Sequence, residues 1–376
     1  MSATGMTSIE VKKINKHNIY TYIYQQKNTS RQGIVDALHI SLSTVIQNLK
    51  LLEKEGLIYR AGYYQSTGGR KAYNIRIVKD ARITLGIGIL KNQIYIVAID
   101  LYGSLIKKST LTLAFSANET YYRQLGDTVS NFIQQGKWKM DCLLGAGIAI
   151  QGIANEEGTT INYGPILTNS GLRLCDLAQY IPCQSFLIHD SKAAALAELW
   201  YHKDIKNATV LLLNQNFGGA LIKERQLHYG QNLHGGLLEH MSIDPDGPIC
   251  YCGRHGCLET FCSADSLAKI AGMELDLFFQ RLRKNDSTVK KIWEEYLNNL
   301  AFAIRNLQII MDFPVIVSGL LTSYMIQEDF DELRERINMQ SSFPFARESL
   351  LSGQHGPLAP AIGSALYFVD KWLQKI

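Results

Sequence analysis

The sequence predicts an α/β protein with a small helical unit at its N-terminus, and three observations support this prediction. Beyond about residue 81, short apolar strands and glycine turns alternate with long helical stretches, a pattern typical of an α/β body. The first 80 residues instead contain helical patterns followed by a basic hairpin pattern. One histidine and three cysteines in a single loop predict a bound metal ion. We therefore expect two domains, residues 1–80 and residues 81–376.

The composition is that of a globular chain with enough apolar material for a large core. The 376 residues are 46% hydrophobic and 19% charged, which excludes a disordered chain. The sequence has no secretion signal and no apolar run of roughly 18 residues, so we expect a cytoplasmic protein with no membrane partner. Seven cysteines fit a reducing compartment better than a disulfide framework. Four of them are scattered and are expected to be small buried side chains: Cys142, Cys175, Cys183 and Cys262.

Positive charge is concentrated in the N-terminal segment. Residues 1–80 contain 12 Lys and Arg against 5 Asp and Glu, a net charge of +7, so the other 296 residues carry −3 of the total +4. A basic segment on a mildly acidic body predicts a polyanion, such as double-stranded DNA, as the partner of that segment alone.

The N-terminal segment has the outline of a helix-turn-helix. Helical spacing of apolar residues predicts helices over residues 14–27 and 31–38, and Ser41 or Ser43 can cap a third helix that runs to about residue 54. The apolar side chains of this third helix are expected to face the body: Val45, Ile46, Leu49, Leu51 and Leu52. Its polar side chains are expected to face outward and to read base edges or bind phosphate, giving with Arg31 the predicted DNA-binding set of Arg31, Ser43, Thr44, Gln47, Asn48 and Lys50.

Residues 59–77 alternate like two strands around a glycine turn, which predicts a wing and hence a winged helix-turn-helix. A Gly-Gly-Arg tip lets the backbone approach DNA closely while a guanidinium enters the minor groove. The predicted wing contacts are therefore Gly68, Gly69, Arg70 and Lys71. The alternative is that this hairpin packs against another subunit.

The metal loop offers one imidazole and three thiolates, from His240, Cys250, Cys252 and Cys257. Zn²⁺ prefers a tetrahedral set of this kind, and four protein ligands leave no position open for a water nucleophile. Gly253 and Gly256 allow the tight turn that brings the sulfur atoms together. The sequence thus predicts a structural zinc ion, against the alternative that the thiols are merely buried.

Residues 250–259, together with His240 and residues 244–248, resemble the zinc signature of the ROK family, which includes bacterial repressors and sugar kinases. The resemblance extends over residues 83–370 and implies an actin-like body, a duplicated ribonuclease H-like fold with a sugar-binding cleft between two lobes. The N-terminal pattern also resembles the winged helix-turn-helix of the family's repressors, including its Gly-Gly-Arg wing.

Three turns that bind ATP in the family's kinases are altered in this sequence. The first, residues 88–92, lacks the acidic residue and the turn glycines and has Leu90 instead. The second, residues 214–220, keeps Gly218 of the four expected glycines, and the third reads Gly319-Leu320 in place of a glycine pair. The resemblance therefore implies that ATP binding and enzyme activity have been lost.

The sugar side of the cleft is better preserved. Asp190 matches the general base of the family's kinases, with His189 in place of the usual Asn, although Asp190 would equally serve as a helix N-cap. His240 and Glu259 match sugar-contacting positions, and Gly152 keeps half of a Pro-Gly loop pair. Leu237 stands where a sugar-binding Glu is expected, and Glu239 is the candidate to replace it. The effector is then a different sugar, such as a phosphorylated or deoxygenated one, or sugar sensing has been lost.

The sequence thus predicts a sugar-responsive DNA-binding regulator of carbohydrate genes, not an enzyme. We expect a homodimer or homotetramer, because one winged domain neutralises too few phosphates for tight specific binding. Two alternatives remain: a sugar kinase that carries a DNA-binding domain, and a regulator whose body docks a protein partner.

Overall fold

The structure, a computed structural model, describes residues 8–63 and 73–376. The helices are α1 Ser8–Gln26, α2 Arg31–Leu38, α3 Leu42–Lys54, α4 Glu119–Gly136, α5 Leu174–Leu177, α6 Asp190–Tyr201, α7 Glu259–Cys262, α8 Ala264–Ala271, α9 Leu275–Arg283, α10 Ser287–Met311, α11 Gln327–Gln340 and α12 Ala359–Leu373. The strands are β1 Ile58–Tyr63, β2 Tyr73–Ile77, β3 Ile83–Ile89, β4 Gln93–Ile99, β5 Leu105–Thr112, β6 Leu143–Ile150, β7 Ile153–Ala154, β8 Ile161–Tyr163, β9 Ser185–His189, β10 Ala208–Leu213, β11 Phe217–Lys223, β12 Gln226–Leu227, β13 Val315–Ser318 and β14 Leu350–Ser352.

The N-terminal unit consists of α1, α2 and α3 followed by the antiparallel pair β1 and β2. Ser30 Oγ accepts a hydrogen bond from Gly33 N, and Ser41 Oγ accepts one from Thr44 N, so each serine caps the helix that follows it. His39 adopts a left-handed conformation that ends α2. Helix α1 begins at Ser8, well before the predicted residue 14, and the structure confirms the predicted bounds of α2.

Helix α1 packs directly on the body. Tyr20 is fully buried, and its ring makes an edge contact with Trp372 at a centroid distance of 5.3 Å. Tyr24 stacks on Tyr102 at 4.8 Å and donates a hydrogen bond from its hydroxyl to the carbonyl of Leu101 at 2.8 Å. The N-terminal unit and the first part of the body therefore share one hydrophobic core.

The body contains two lobes with the same strand order. The first sheet has the order β5-β4-β3-β6-β9 and the second has the order β12-β11-β10-β13-β14. In each sheet the first three strands in sequence are antiparallel neighbours, and the last two add in parallel on the other side. The body thus contains the same sheet order twice, and the predicted α/β fold is confirmed.

Helices α6 and α12 pack against each other and hold the lobes together. A Cβ at Gly363 of α12 would lie 1.6 Å from the carbonyl oxygen of Ala193 in α6, so only glycine permits this close approach. Helix α6 starts immediately after β9, and this places its first turn at the cleft between the lobes. Within the described ranges 8–63 and 73–376, no helix is long and apolar enough to cross a membrane.

Candidate functional site

A cavity of about 660 Å³ lies where strand ends of both lobes meet the cysteine loop. This volume is within the usual range for small-molecule sites, about 300–1,000 Å³. The structure brings together five of the six predicted effector residues, namely Gly152, His189, Asp190, Glu239 and His240. The remaining lining residues are Gln151, Ile153, Tyr163, Pro165, Ile166, Asn216, Phe217, Gly218, His234, Leu237, Tyr251, Cys252 and Arg254.

Asp190 lines the cavity at the start of α6. Its Oδ1 accepts a hydrogen bond from the backbone N–H of Ser191 at 2.8 Å, so the carboxylate also binds an amide at the helix N-terminus. His189 Nε2 lies 3.4 Å from the same oxygen, and its Nδ1 lies 3.0 Å from Ser191 Oγ. Burial lowers the pKa of His189, which favours the neutral imidazole.

Glu239 places a buried carboxyl in the cavity wall. Glu239 is only 5% exposed, and its Oε2 has no hydrogen-bond partner among the described residues. Burial, and after it the negative charges of Asp190 and Glu259, raise the pKa of Glu239 to about 8. Lys192 lies close enough to oppose this effect, while its own ammonium donates to the carbonyl of Leu233 at 3.1 Å.

Glu259 was predicted to contact the effector, but it is not among the described residues that line the cavity. Its Oε2 accepts from the N–H of Phe217 at 2.6 Å, and its Oε1 accepts from Asn216 Nδ2 at 2.8 Å. Asn216 Oδ1 in turn accepts from Gln151 Nε2 at 2.9 Å. Glu259 therefore acts through this chain, which orients the Gln151 amide and leaves Gln151 Oε1 as a buried acceptor without a partner in the described structure.

The candidate metal ligands converge as predicted. One donor atom from each of His240, Cys250, Cys252 and Cys257 lies within 4.8 Å of the others. The Sγ atoms of Cys252 and Cys257 are 3.7 Å apart, and His240 Nδ1 lies 3.9 Å from Cys250 Sγ. A tetrahedral Zn²⁺ with bonds of about 2.3 Å to sulfur requires sulfur separations of about 3.8 Å, so this donor set fits the ion.

The metal loop and the cavity share a wall. His240 and Cys252 belong to the ligand cluster and also line the cavity, together with Tyr251 and Arg254 of the same loop. A Cβ at Gly256 would lie 1.4 Å from the carbonyl oxygen of Asp244, so the loop can close only with glycine there. An ion at this cluster would fix the cavity wall.

The turns on the opposite side of the cleft are closed by internal hydrogen bonds. The N–H of Leu90 donates to the carbonyl of Gln93 at 2.9 Å, and the Leu90 side chain is 7% exposed. The N–H of Leu320 donates to Asn214 Oδ1 at 2.7 Å. These backbone groups are occupied, in agreement with the sequence changes at Leu90 and Gly319-Leu320.

Helix α3 presents a polar face that differs in two positions from the predicted one. Ser43, Gln47 and Lys50 are exposed, Thr44 is half-buried, and Arg31 is half-buried at the start of α2. Asn48 is buried, and its Nδ2 donates to the carbonyl of Thr44 at 2.9 Å, so its predicted outward position is wrong. Leu51 is 43% exposed and not buried. The predicted wing residues Gly68, Gly69, Arg70 and Lys71 lie outside the described residues.

Sequence reasoning missed Gln151, Asn216, His234 and Arg254 as residues of the cavity. Gln151 follows the apolar strand β6, and Asn216 lies in the short turn between β10 and β11. A polar residue directly after a buried strand is a usable signal, because ligands bind at the carboxyl ends of strands in α/β sheets. Arg254 and His234 carry no such signal.

These features define a class of protein: a duplicated two-lobed α/β body with a ligand-sized cleft beside a Cys₃His loop, preceded by a helical unit. The ROK family model matches residues 84–371, and the chain belongs to the ROK family. The xylose repressor of Bacillus subtilis (strain 168) is 24% identical over 381 residues, covering 97% of each chain. The DNA-binding transcriptional dual regulator NagC of Escherichia coli (strain K12) is 24% identical over 288 residues, covering 75% of this chain and 70% of its own.

Solved structures show the same fold. A ROK family transcriptional regulator, a homologue of the Escherichia coli MLC protein, matches with a TM-score of 0.75 at 18% identity, covering 97% of both chains. A ROK family glucokinase from Streptomyces griseus, in complex with glucose and AMPPNP, matches with a TM-score of 0.67 at 18% identity. It covers 76% of this chain and 98% of its own. The body therefore has a fold found in both regulators and kinases.

Proposed function

We propose that this protein is a sugar-responsive transcriptional repressor of carbohydrate genes and that it has no kinase activity. The observation that carries the proposal is the contrast within the cleft. Gln151 and Glu239 keep buried acceptors available for a ligand, whereas the N–H groups of Leu90 and Leu320 are occupied by internal bonds. A sugar kinase must bind ATP on one side of the cleft and a sugar on the other, but a sugar sensor needs only the sugar side. The similarity to proteins described as a transcriptional dual regulator and a xylose repressor supports the regulatory role.

The N-terminal unit acts as a winged helix-turn-helix that binds operator DNA. Ser43, Gln47 and Lys50 project from α3 into solvent, where they can reach base edges and phosphates in the major groove. Arg60 and Lys16 have internal roles, because they form ion pairs at 2.7 Å with Glu53 and Glu55, respectively. Arg70 lies outside the described residues, and its part in the proposal is to bind the adjacent minor groove. Two or four copies of the chain together bind paired half-sites.

A structural zinc ion occupies the cluster of His240, Cys250, Cys252 and Cys257. The fit rests on donor chemistry and on separations close to those of a tetrahedral thiolate site. Four protein ligands complete the coordination shell, so the ion supplies folding energy and leaves no open position for catalysis. Its effect on sensing comes from holding His240 and Cys252 at the cavity wall.

The effector enters the cleft and stabilises one arrangement of the two lobes. It can shift the population only by its difference in affinity between the two arrangements. Helix α6 begins at Asp190 in the cavity and packs on α12, and Trp372 of α12 contacts Tyr20 of α1. This continuous packing carries a change in lobe angle to the N-terminal unit and so alters the placement of paired DNA-binding units.

The proposal is tested by fluorescence anisotropy of the full-length protein on DNA from upstream of its own gene, titrated with monosaccharides and their phosphates. Tight binding that a sugar weakens or strengthens is the expected result. Tight binding that no sugar alters would favour a body that docks a protein partner. Calorimetry at millimolar ATP distinguishes the kinase alternative, and we expect no heat of binding.

A substitution in α3 tests the DNA interface separately. Replacing the exposed Lys50 by Ala should lower the slope of log affinity against log salt by about one, because one counterion fewer is released. Lys284→Ala changes an exposed lysine of the body and serves as the control. Equal slopes for both variants would remove Lys50 from the interface.

A further inference from the structure

The cavity contains two buried acceptors whose orientation the protein determines. Gln151 is 3% exposed and Glu239 is 5% exposed, and both carry an oxygen without a partner in the described part of the chain. The chain from the Phe217 N–H through Glu259 and Asn216 fixes the Gln151 amide with its oxygen unpaired. Leaving such polar atoms unpaired is unfavourable, so a ligand that fits this cavity presents hydrogen-bonding groups, such as hydroxyls, to them.

Leu237 presents an apolar side chain to the cavity. Leu237 is half-buried and lines the same cavity as Ile153 and Ile166. Glu239, two residues further along, places its carboxyl in the cavity wall. A ligand hydroxyl beside Leu237 would lose its water and gain no acceptor, whereas a methyl or methylene group there would be in apolar contact.

Among the described residues that line the cavity, none of the buried ones is a Lys or an Arg that could bind an anionic group. Asp190 and Glu239, 8% and 5% exposed, place carboxyl groups there instead. Arg254 and His234 also line the cavity, but both are exposed. A phosphate could meet these cations only at the exposed rim, so the buried part is suited to a neutral ligand.

From these observations we infer that the effector is a neutral monosaccharide that lacks one hydroxyl group, a deoxy sugar whose apolar carbon contacts Leu237 while its remaining hydroxyls bind Gln151 and Glu239. This inference rests on the proposed sugar-sensing function and specifies its ligand class. Leu237 is thereby the residue that determines specificity, because it rejects the hydroxyl that a carboxylate at this position would bind.

The test is calorimetry of the full-length protein with neutral hexoses and pentoses, each paired with its singly deoxygenated analogues at every carbon. We expect one deoxygenated sugar to bind roughly 10- to 100-fold more tightly than its parent, the range that an apolar contact achieves against an added hydroxyl. Leu237→Glu should reverse this preference, and Leu237→Met, which keeps the apolar contact, should retain it.

The outcomes separate the two proposals. Parent sugars that bind as tightly as all their deoxygenated analogues would overturn the inference and leave sugar sensing intact. A phosphorylated sugar that binds most tightly, and weakens in Arg254→Ala, would overturn it as well. If no monosaccharide binds the wild-type protein, sugar sensing itself fails. The wild-type comparison needs no variant to fold, so the inference remains testable if Leu237→Glu is unstable.

Discussion

Two buried carboxyl groups of the body, those of Glu198 and Glu239, differ in their hydrogen bonding. On the side of Leu320, the buried carboxyl of Glu198 accepts hydrogen bonds from Ser318 Oγ at 2.7 Å and from Gln354 N at 3.3 Å. On the side of Asp190, the buried carboxyl of Glu239 has an oxygen without a partner in the described structure. The protein itself therefore pairs the carboxyl of Glu198, whereas an oxygen of Glu239 remains available to a ligand. This difference in pairing is what the following substitutions test.

The largest expected effect concerns the metal loop, which forms part of the cavity wall on the side of Asp190 and Glu239. Cys252→Ser should abolish zinc binding and lower the free energy of unfolding by more than about 4 kcal/mol, because a structural metal is among the few single features of that size. Zinc content and thermal unfolding measure this. Cys175→Ser is the matched control, because Cys175 is exposed and its predicted burial is wrong, as it is for the half-buried Cys142 and Cys183. Equal stability of the two variants would mean that the cluster holds no structural ion.

The side of the cleft at Leu90 and Leu320 is tested by shortening the Leu90 side chain. Leu90→Ala should destabilise the protein by about 2–4 kcal/mol, since it removes a buried side chain, and it should still bind no ATP. Chemical denaturation and calorimetry with ATP give the two readouts, with the exposed Leu105→Ala as control. If Leu90→Ala gained ATP binding, the Leu90 side chain alone would be what prevents ATP from binding.

The side of the cleft that includes Glu239 is tested at Asp190, the first residue of α6. Asp190→Asn should weaken sugar binding about 10- to 100-fold, because a hydrogen bond to a charged group contributes about 1.5–3 kcal/mol. Titration calorimetry measures the affinity, and Asp141→Asn, at an exposed aspartate, should leave it unchanged. Unchanged affinity in Asp190→Asn would place the sugar elsewhere.

The smallest expected effect is a pH dependence of the free energy of unfolding, caused by the buried carboxyl of Glu198. Burial raises the pKa of Glu198, so the folded protein holds this proton at pH values where the unfolded chain has released it. Its contribution to stability is present below the ordinary glutamate pKa and is lost as pH rises through the raised pKa.

Glu198→Gln tests this sign directly. The free energies of unfolding of the wild type and the variant should converge in acid and separate as pH rises, with the variant more stable at neutral pH. Denaturant unfolding at several pH values measures the difference, and Glu335→Gln, an exposed change, should follow the wild type. A variant that becomes relatively less stable as pH rises would contradict the buried, protonated state.

Local patterns predicted much of the fold, and long-range contacts account for what they missed. The helix over residues 31–38 was predicted with the bounds that the structure has, because periodicity and capping are local. The metal ligands lie in one loop and were also predicted. The pairing of Glu259 with Asn216 and Phe217 joins distant segments, and no spacing rule indicates it. Asn48 was misplaced because a helical Asn can bond its own backbone, as it does to Thr44.

The burial of Tyr20 against Trp372 has a practical consequence for engineering. An N-terminal unit cut out at residue 80 would expose Tyr20 and Tyr24, whose rings contact Trp372 and Tyr102 of the body. Such a fragment would tend to aggregate. A DNA-binding unit from another protein, joined to this body, would leave Trp372 uncovered. A functional chimaera of two family members should therefore exchange α1 and the end of α12 as a matched pair.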